Sequence, residues 1–275
     1  MEYNKPLSTE ERQRISLEIL LFFHNFCREH NITYYLAYGT LLGAVRHHGF
    51  IPWDDDVDIH IPRPDYERIL REFSDPSDNF ELISPANNNR YTLPYAKIQN
   101  KKTRRITKNG EIDNKSFGIG IDLFPLDGVP DDLENAEKAF KKANKEFFSV
   151  LWRFDTYRRM ENPSSLIEKV KHAAGKLLFS AGALTKEAQR LGRNLYSVDY
   201  DKSRVVACVV GIHSGRFCPF NKEWFEKEEL MFEGRPFSVP KGYHEILTLV
   251  YGDYMTPPEK SEQITTHSDN YILIK

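Results

Sequence analysis

Residues 34–61 read YYLAYGTLLGAVRHHGFIPWDDDVDIHI, and both the fold and the chemistry of the chain turn on them. Tyr34 to Ala37 is a short aromatic and apolar run of the kind that forms a buried strand. At Gly39-Thr40 the chain is expected to turn and present a hydroxyl and free backbone N–H groups. Leu41 to Arg46 has the residue types of a short helix beginning there. The first N–H groups of such a helix are unpaired and its dipole is positive at that end, so it suits an anion. Gly49-Phe50-Ile51-Pro52-Trp53 is a turn carrying a bulky apolar plug, and it leads into Asp54-Asp55-Asp56-Val57-Asp58-Ile59.

Side chains alternate between faces along a strand. A strand through this segment puts Asp54, Asp56 and Asp58 on one face and Val57, Ile59 and Ile61 on the core face. Carboxylates about 5–7 Å apart repel by a few kcal/mol per pair at an effective dielectric of about 20. A domain is stable by only about 5–15 kcal/mol, so a partly enclosed cluster of this kind needs a cation. A hard divalent ion, Mg²⁺ or Mn²⁺, takes oxygen ligands and commonly binds substrate phosphates as well. The bland reading is an acidic surface turn, where solvation cuts the repulsion to about 1 kcal/mol. For a bare acidic triplet that reading is the better one. The alternating strand, the Gly-Thr helix start and the apolar plug reverse the balance.

The remainder of the chain frames this stretch. Its 275 residues suffice for one large domain or two small ones, and 40% hydrophobic content is ordinary for a globular core. A net charge of −2 offers no electrostatic basis for nucleic-acid binding. Cys27, Cys208 and Cys218 have no ligand spacing and read as reduced, buried thiols. MEYNKPLSTEERQR has no apolar signal region, and no apolar run reaches the roughly 18 residues of a membrane span. The expectation is a cytoplasmic protein with at most peripheral association at the inner face of a membrane.

Ser8 and Glu11 have capping-box spacing, and Ile15, Ile19, Phe22, Phe23 and Phe26 follow at helical intervals, predicting a helix over 9–30. Pro64-Asp65 opens another, with Tyr66, Ile69, Leu70 and Phe73 inward. Residues 74–90 are loop-rich around a short strand at Leu82-Ile83. Tyr95 to Ile98 reads as a strand, and the basic run Lys101 to Arg105 as a solvated hairpin arm turning at Asn109-Gly110. Lys97 differs from that run: flanked by Ala96 and Ile98, it either snorkels or meets a buried anion. In GIGIDLFPLDG, 118–128, Ile119, Ile121 and Leu123 share an apolar face and Asp122 projects from the other. Asp127-Gly128 reads as a turn. Helices are predicted over 133–157, 165–182 and 186–196, the second basic on one side. A strand at Val205 to Val210, a hairpin turning at Glu233-Gly234 and a helix over 241–250 complete the chain. The architecture is α/β: a small mixed sheet carrying the acids, flanked by helices, with an added helical region.

A helix start, an Asp-x-Asp strand, a third acid and a lysine make up the set that phosphoryl or nucleotidyl transfer needs. Asp56 and Asp58 would hold one or two divalent ions, and Asp122 would complete the shell or take the acceptor's proton. The Gly39 and Thr40 amides and Lys97 would hold phosphate oxygens.

Three segments resemble the LicD family of phosphotransferases, relatives of fukutin and fukutin-related protein within the nucleotidyltransferase superfamily: YGTLLGAVRHHGFIPWDDDVDIH at 38–60, GIGIDLFPLDGVP at 118–130 and YGDYMTPP at 251–258. The resemblance implies a nucleotidyltransferase-like core over 1–130 and a segment over 229–275 returning to it; between them 131–228 matches only in its helical character and is the candidate for an acceptor or donor-alcohol site. It also implies transfer of phosphocholine from CDP-choline, or of a related alcohol phosphate from its CDP donor, to a cell-surface glycan of teichoic acid, lipopolysaccharide or capsule type. That acceptor can be lipid-linked. The superfamily's Gly-Ser/Thr falls on Gly39-Thr40, its metal-binding acids on Asp56 and Asp58, and its third acid on Asp122. Asp54, Arg46, Trp53 and Lys97 belong to the LicD signature. His267 joins the substrate set, although a histidine in such a tail is more often incidental. A quaternary ammonium calls for aromatic faces, with Trp152, Tyr157, Tyr91 and Tyr95 as candidates. Two alternatives stay open: transfer of a nucleoside monophosphate to a small acceptor, and a non-catalytic nucleotide- or glycan-binding module.

Overall fold

A computed structural model describes residues 5–107, 111–113, 116–159, 181–208, 216–264 and 270–274, with the backbone alone for 155–159 and 181. Helix α1 (Thr9–Glu29) begins at the predicted capping box: Ser8 Oγ accepts from the Glu11 N–H and Glu11 accepts from the Ser8 N–H. Its Ile15, Ile19, Leu20, Phe23 and Phe26 are buried. Strand β1 (Tyr35–Leu36), helix α2 (Tyr38–Arg46), strand β2 (Asp58–Pro62) and helix α3 (Arg63–Glu72) follow. Then come β3 (Phe80–Ile83), β4 (Ala96–Asn100), β5 (Thr103–Ile106) and the long β6 (Gly120–Val129). Helices α4 (Leu133–Arg159) and α5 (Ala181–Leu191) precede β7 (Val205–Ala207), β8 (Phe220–Asn221) and a short 3₁₀ turn (Lys222–Phe225). The chain ends in the hairpin β9 (Lys227–Phe232) and β10 (Arg235–Pro240), helix α6 (Tyr243–Tyr251) and β11 (Asn270–Leu273). The protein is α/β.

Two compact units divide the chain. The first comprises 1–82, 97–125 and 220–275. Its sheet runs β1-β2-β6-β4-β3, with β1 antiparallel to β2 through Tyr35 opposite His60 and Leu36 opposite Ile59. Val57, Ile59, Ile61, Ile98, Ile121 and Leu123 are buried in it. The second comprises 83–96 and 126–219. Its core gathers Phe140, Phe147 and Val150 of α4 with Leu184, Ala188 and Leu191 of α5 and with Val129 and Ala207. Among the described residues no helix is long and apolar enough to cross a membrane.

Several local expectations are corrected. The acidic run is not one strand: β2 starts only at Asp58, and Asp54 to Val57 approach it as irregular chain. Helix α2 starts earlier than read, at Tyr38. Asp127-Gly128 is no turn but the buried end of β6, opposite Ala207 and Val206. The chains approach closely there: a Cβ on Gly128 would lie 3.0 Å from the Asp199 and Val198 carbonyl oxygens. Part of the basic arm is paired strand: Thr103 to Ile106 lie antiparallel to Leu273 to Asn270. That partner is more than 160 residues away in sequence, so no local pattern announces it. The hairpin turn at Asn109-Gly110, most of the helix read over 165–182, and Val209-Val210 lie outside the described residues.

Candidate active site

The site lies wholly in the first unit, and α2 forms one wall. Its N-cap is Ala37, which has no side-chain cap, so the Gly39 and Thr40 N–H groups of the first turn have no partner within the helix. Tyr38 carries a φ of 42°, a costly value for an aromatic residue. Its ring is held edge-on against His60 at 4.7 Å and Phe124 at 5.6 Å, and this packing fixes the strained backbone. Gly39 is open by necessity, because a Cβ there would stand 2.7 Å from Asp54 Oδ2. Thr40 does more than present a hydroxyl. Its Oγ accepts the Asp58 N–H at 2.9 Å and so ties the helix to the start of β2.

The acids converge on this wall. The Asp122 N–H donates to the Val57 carbonyl at 2.8 Å, which sets Asp122 on β6 beside the Asp56–Asp58 segment. Asp58 feels its surroundings most. Burial first, then the charges of Asp56, Asp122 and Asp54, push its carboxyl well above the usual range, with Lys97 opposing. Lys97 Nζ stands 3.1 Å from Asp122 Oδ1. Burial alone would lower the Lys97 pKa, but Asp122, with smaller contributions from Tyr271 and Asp56, outweighs it and keeps the ammonium protonated. Of the two sequence readings for this lysine, the buried anion is the one found. The space is made by Gly120, where a Cβ would lie 2.9 Å from Lys97 Cγ.

The acidic triplet divides its labour. Asp55 leaves the cluster: its Oδ2 pairs with Arg12 Nη1 of α1 at 2.8 Å, both side chains under a tenth exposed. The sequence reading missed Arg12. The available signal was a charged residue one turn before Ile15, on the flank of the buried face of α1.

A divalent ion finds suitable chemistry here. The donor set is all carboxylate oxygen, Asp58 is desolvated among like charges, and the buried Asp122 Oδ1 has Lys97 Nζ as its neighbour at 3.1 Å. Among the described residues no three acid, histidine or cysteine groups are drawn together as a ready-made metal cage. Lys97 is the positive charge on Asp122 in this arrangement.

The other sequence candidates are placed differently. Arg46 closes the far end of α2, its Nη1 donating to the Tyr254 carbonyl at 2.8 Å and its Nε to His47. Trp53 is half-buried, edge-on to His47 at 6.2 Å. The Arg46 bond ties α2 to the tail. Tyr251, which no sequence argument singled out within YGDYMTPP, lies in the field of the acids. The residue is 44% exposed, yet desolvation of its hydroxyl, then Asp58, Asp54 and Asp56, raise its phenol pKa, with Arg46 opposing. Beneath the site His60 is buried and neutral, its pKa pushed down by burial to about 3. Of the aromatic candidates for a quaternary ammonium, Tyr91 and Tyr95 are buried at 1% and 6% exposure, while Trp152 is exposed. The Tyr157 side chain and His267 lie outside what is described.

Residues 31–172 match the family model described as LicD/FKTN/FKRP, nucleotidyltransferase domain. The chain belongs to this family. It is also 30% identical over 281 aligned residues to the lipopolysaccharide cholinephosphotransferase LicD of Haemophilus influenzae, covering 98% of this chain and 100% of that protein. Shorter likenesses join it to two uncharacterized rickettsial proteins. One, from Rickettsia typhi, is 43% identical over 73 residues, 25% of this chain and 24% of that protein. The other, from Rickettsia prowazekii, is 49% identical over 53 residues, 18% and 20% respectively. Within the LicD family match fall α2, the acid loop, β2, Lys97 and Asp122; α1 and the tail fall outside it.

Proposed function

We propose that this LicD-family chain transfers phosphocholine from a CDP-activated donor to a hydroxyl of a cell-surface glycan and releases CMP. The supporting observation is that Asp58 is tied to Thr40 of α2, Asp122 is bonded to Val57 beside it and Asp54 lies against Gly39, so that the charges of Asp54, Asp56 and Asp122 all act on Asp58. The near-full-length likeness to a lipopolysaccharide cholinephosphotransferase supports the choice of transferred group and acceptor. In the reaction the acceptor oxygen bonds to the phosphorus that carries choline. The bond from that phosphorus to the CMP oxygen breaks, and the hydroxyl proton passes to a carboxylate.

Asp56, Asp58 and Asp122 would hold Mg²⁺ or Mn²⁺, which when bound neutralises the diphosphate and the charge growing on the leaving oxygen. The Gly39 and Thr40 N–H groups offer donors to a phosphate oxygen at the positive end of α2. Lys97 brings a permanent positive charge to the same place, already balanced by Asp122. Asp54, held over Gly39, limits the room for the donor and so helps to orient it. Work at the cytosolic face of a membrane, on a lipid-linked acceptor, fits the reading without requiring a spanning helix.

The test is CMP release from CDP-choline by the purified chain with lipopolysaccharide and Mg²⁺. Asp56→Asn and Asp58→Asn should each lower the rate by about 100-fold or more, and a chelator should abolish it. Wild-type rates in both variants would remove the acids from the chemistry. Nucleotide found attached to the acceptor, in place of free CMP, would turn the assignment to nucleotidyl transfer.

A further inference from the structure

We propose that Arg12, Gln13 and Ser16 of α1 are positioning residues that set the acid loop in its cation-binding geometry; the inference rests on the metal reading above. The loop needs such a brace. Asp54 to Val57 precede β2, so no continuous strand ladder fixes their backbone. Helix α1 supplies the missing bonds. Gln13 Nε2 donates to the Asp54 carbonyl at 2.7 Å and lies 3.4 Å from the Ile51 carbonyl. Ser16 Oγ donates to the Asp55 carbonyl at 3.2 Å. These bonds all end on main-chain oxygens, so they orient the chain itself.

The fourth contact sorts the side chains. The buried Arg12–Asp55 pair draws the middle carboxylate toward α1. Asp54 and Asp56 stay on the other side: Asp54 Oδ2 lies against Gly39, and both charges act on Asp58. It also removes one negative charge from a place already crowded with them. The brace is stiff at its own end: Arg12 Nη2 donates to Thr9 Oγ at 3.2 Å, and the capping box lies one residue before Arg12. All three residues precede the segment matched by the nucleotidyltransferase-domain model.

Residues that orient metal ligands from behind change metal affinity by about 10–100-fold when removed. The experiment measures Mn²⁺ binding to the full chain by electron paramagnetic resonance, without substrate, beside the melting temperature. Gln13→Ala combined with Ser16→Ala should raise the Mn²⁺ dissociation constant about 10-fold, and Ser16→Thr, which keeps the hydroxyl, should bind like wild type. Arg12→Ala alone strands a buried carboxylate and can unfold the chain. The pair is therefore tested as Arg12→Gln with Asp55→Asn, again with weaker Mn²⁺ binding expected. Folded variants that bind Mn²⁺ as wild type does, whatever their melting temperature, overturn the brace and leave the metal reading standing. A wild-type chain that binds no Mn²⁺ at millimolar concentration overturns the metal reading and the brace together.

Discussion

Asp75 shows how much one side chain can organise. Its carboxylate accepts the N–H groups of Ser77, Asn79 and Phe80 at 2.8–2.9 Å and the Ser77 hydroxyl at 2.7 Å, which turns the chain from α3 into β3. Burial acts to raise its pKa, but these hydrogen bonds outweigh it and hold the carboxyl below the usual range. A carboxyl whose pKa is lower in the folded than in the unfolded chain stabilises the fold fully above about pH 4, and that contribution is lost as pH falls through the folded pKa. Asp75→Asn should therefore flatten the acid limb of stability against pH, while Asp75→Ala should cost about 1–3 kcal/mol at neutral pH in urea unfolding. Gly39 tests the site at the same scale. Gly39→Ala gains up to about 1 kcal/mol of helix propensity, yet its new methyl meets the Asp54 carboxylate. The variant should melt no lower than wild type and lose at least about 10-fold in turnover. A fully active Gly39→Ala would show that the position of Asp54 does not matter. The Gly-Thr pair and the acids were legible in the sequence because their types carry the chemistry; Arg12 and Tyr251 were not, because their roles depend on what folds against them.

Among the elements, the β9–β10 hairpin acts at a distance from its own sheet. Its turn, with φ of 50° at Glu233 and 72° at Gly234, was readable from the Glu-Gly pair. Its task was not. The Glu233 N–H donates to the His48 carbonyl and the Glu233 carboxylate accepts the Phe50 N–H, both at 3.0 Å, so the hairpin tip clasps the turn that leads into the acids. A Cβ on Gly49 would lie 2.2 Å from Glu233 Oε1, so a side chain there would push the Glu233 carboxylate aside. Glu233→Ala should raise amide exchange across 48–56 while leaving α1 protected, and Glu233→Gln, which retains the acceptor, should not. Equal exchange in Glu233→Ala and wild type would show that the clasp holds nothing.

For the molecule as a whole, each unit has its own apolar centre. In the second, Phe140 is fully buried between α4 and α5, and Phe140→Ala should cost about 3–5 kcal/mol in thermal or urea unfolding. A loss below about 1 kcal/mol would mean that α4 is not the keystone of that unit. Helix periods, the Ser8–Glu11 cap, the burial of alternate strand residues and the motif from Tyr38 to His60 could all be read directly from residue order. Each depends on bonds and sterics between residues a few positions apart, which any chain with that order must satisfy. Folding settled the rest: the turning of Asp55 toward Arg12, the start of β2 at Asp58, the burial of Asp127-Gly128 in a strand, and the pairing of β5 with β11. Those outcomes are set by partners tens to more than a hundred residues away, whose charge and hydrogen-bonding groups must be satisfied where the chain leaves water.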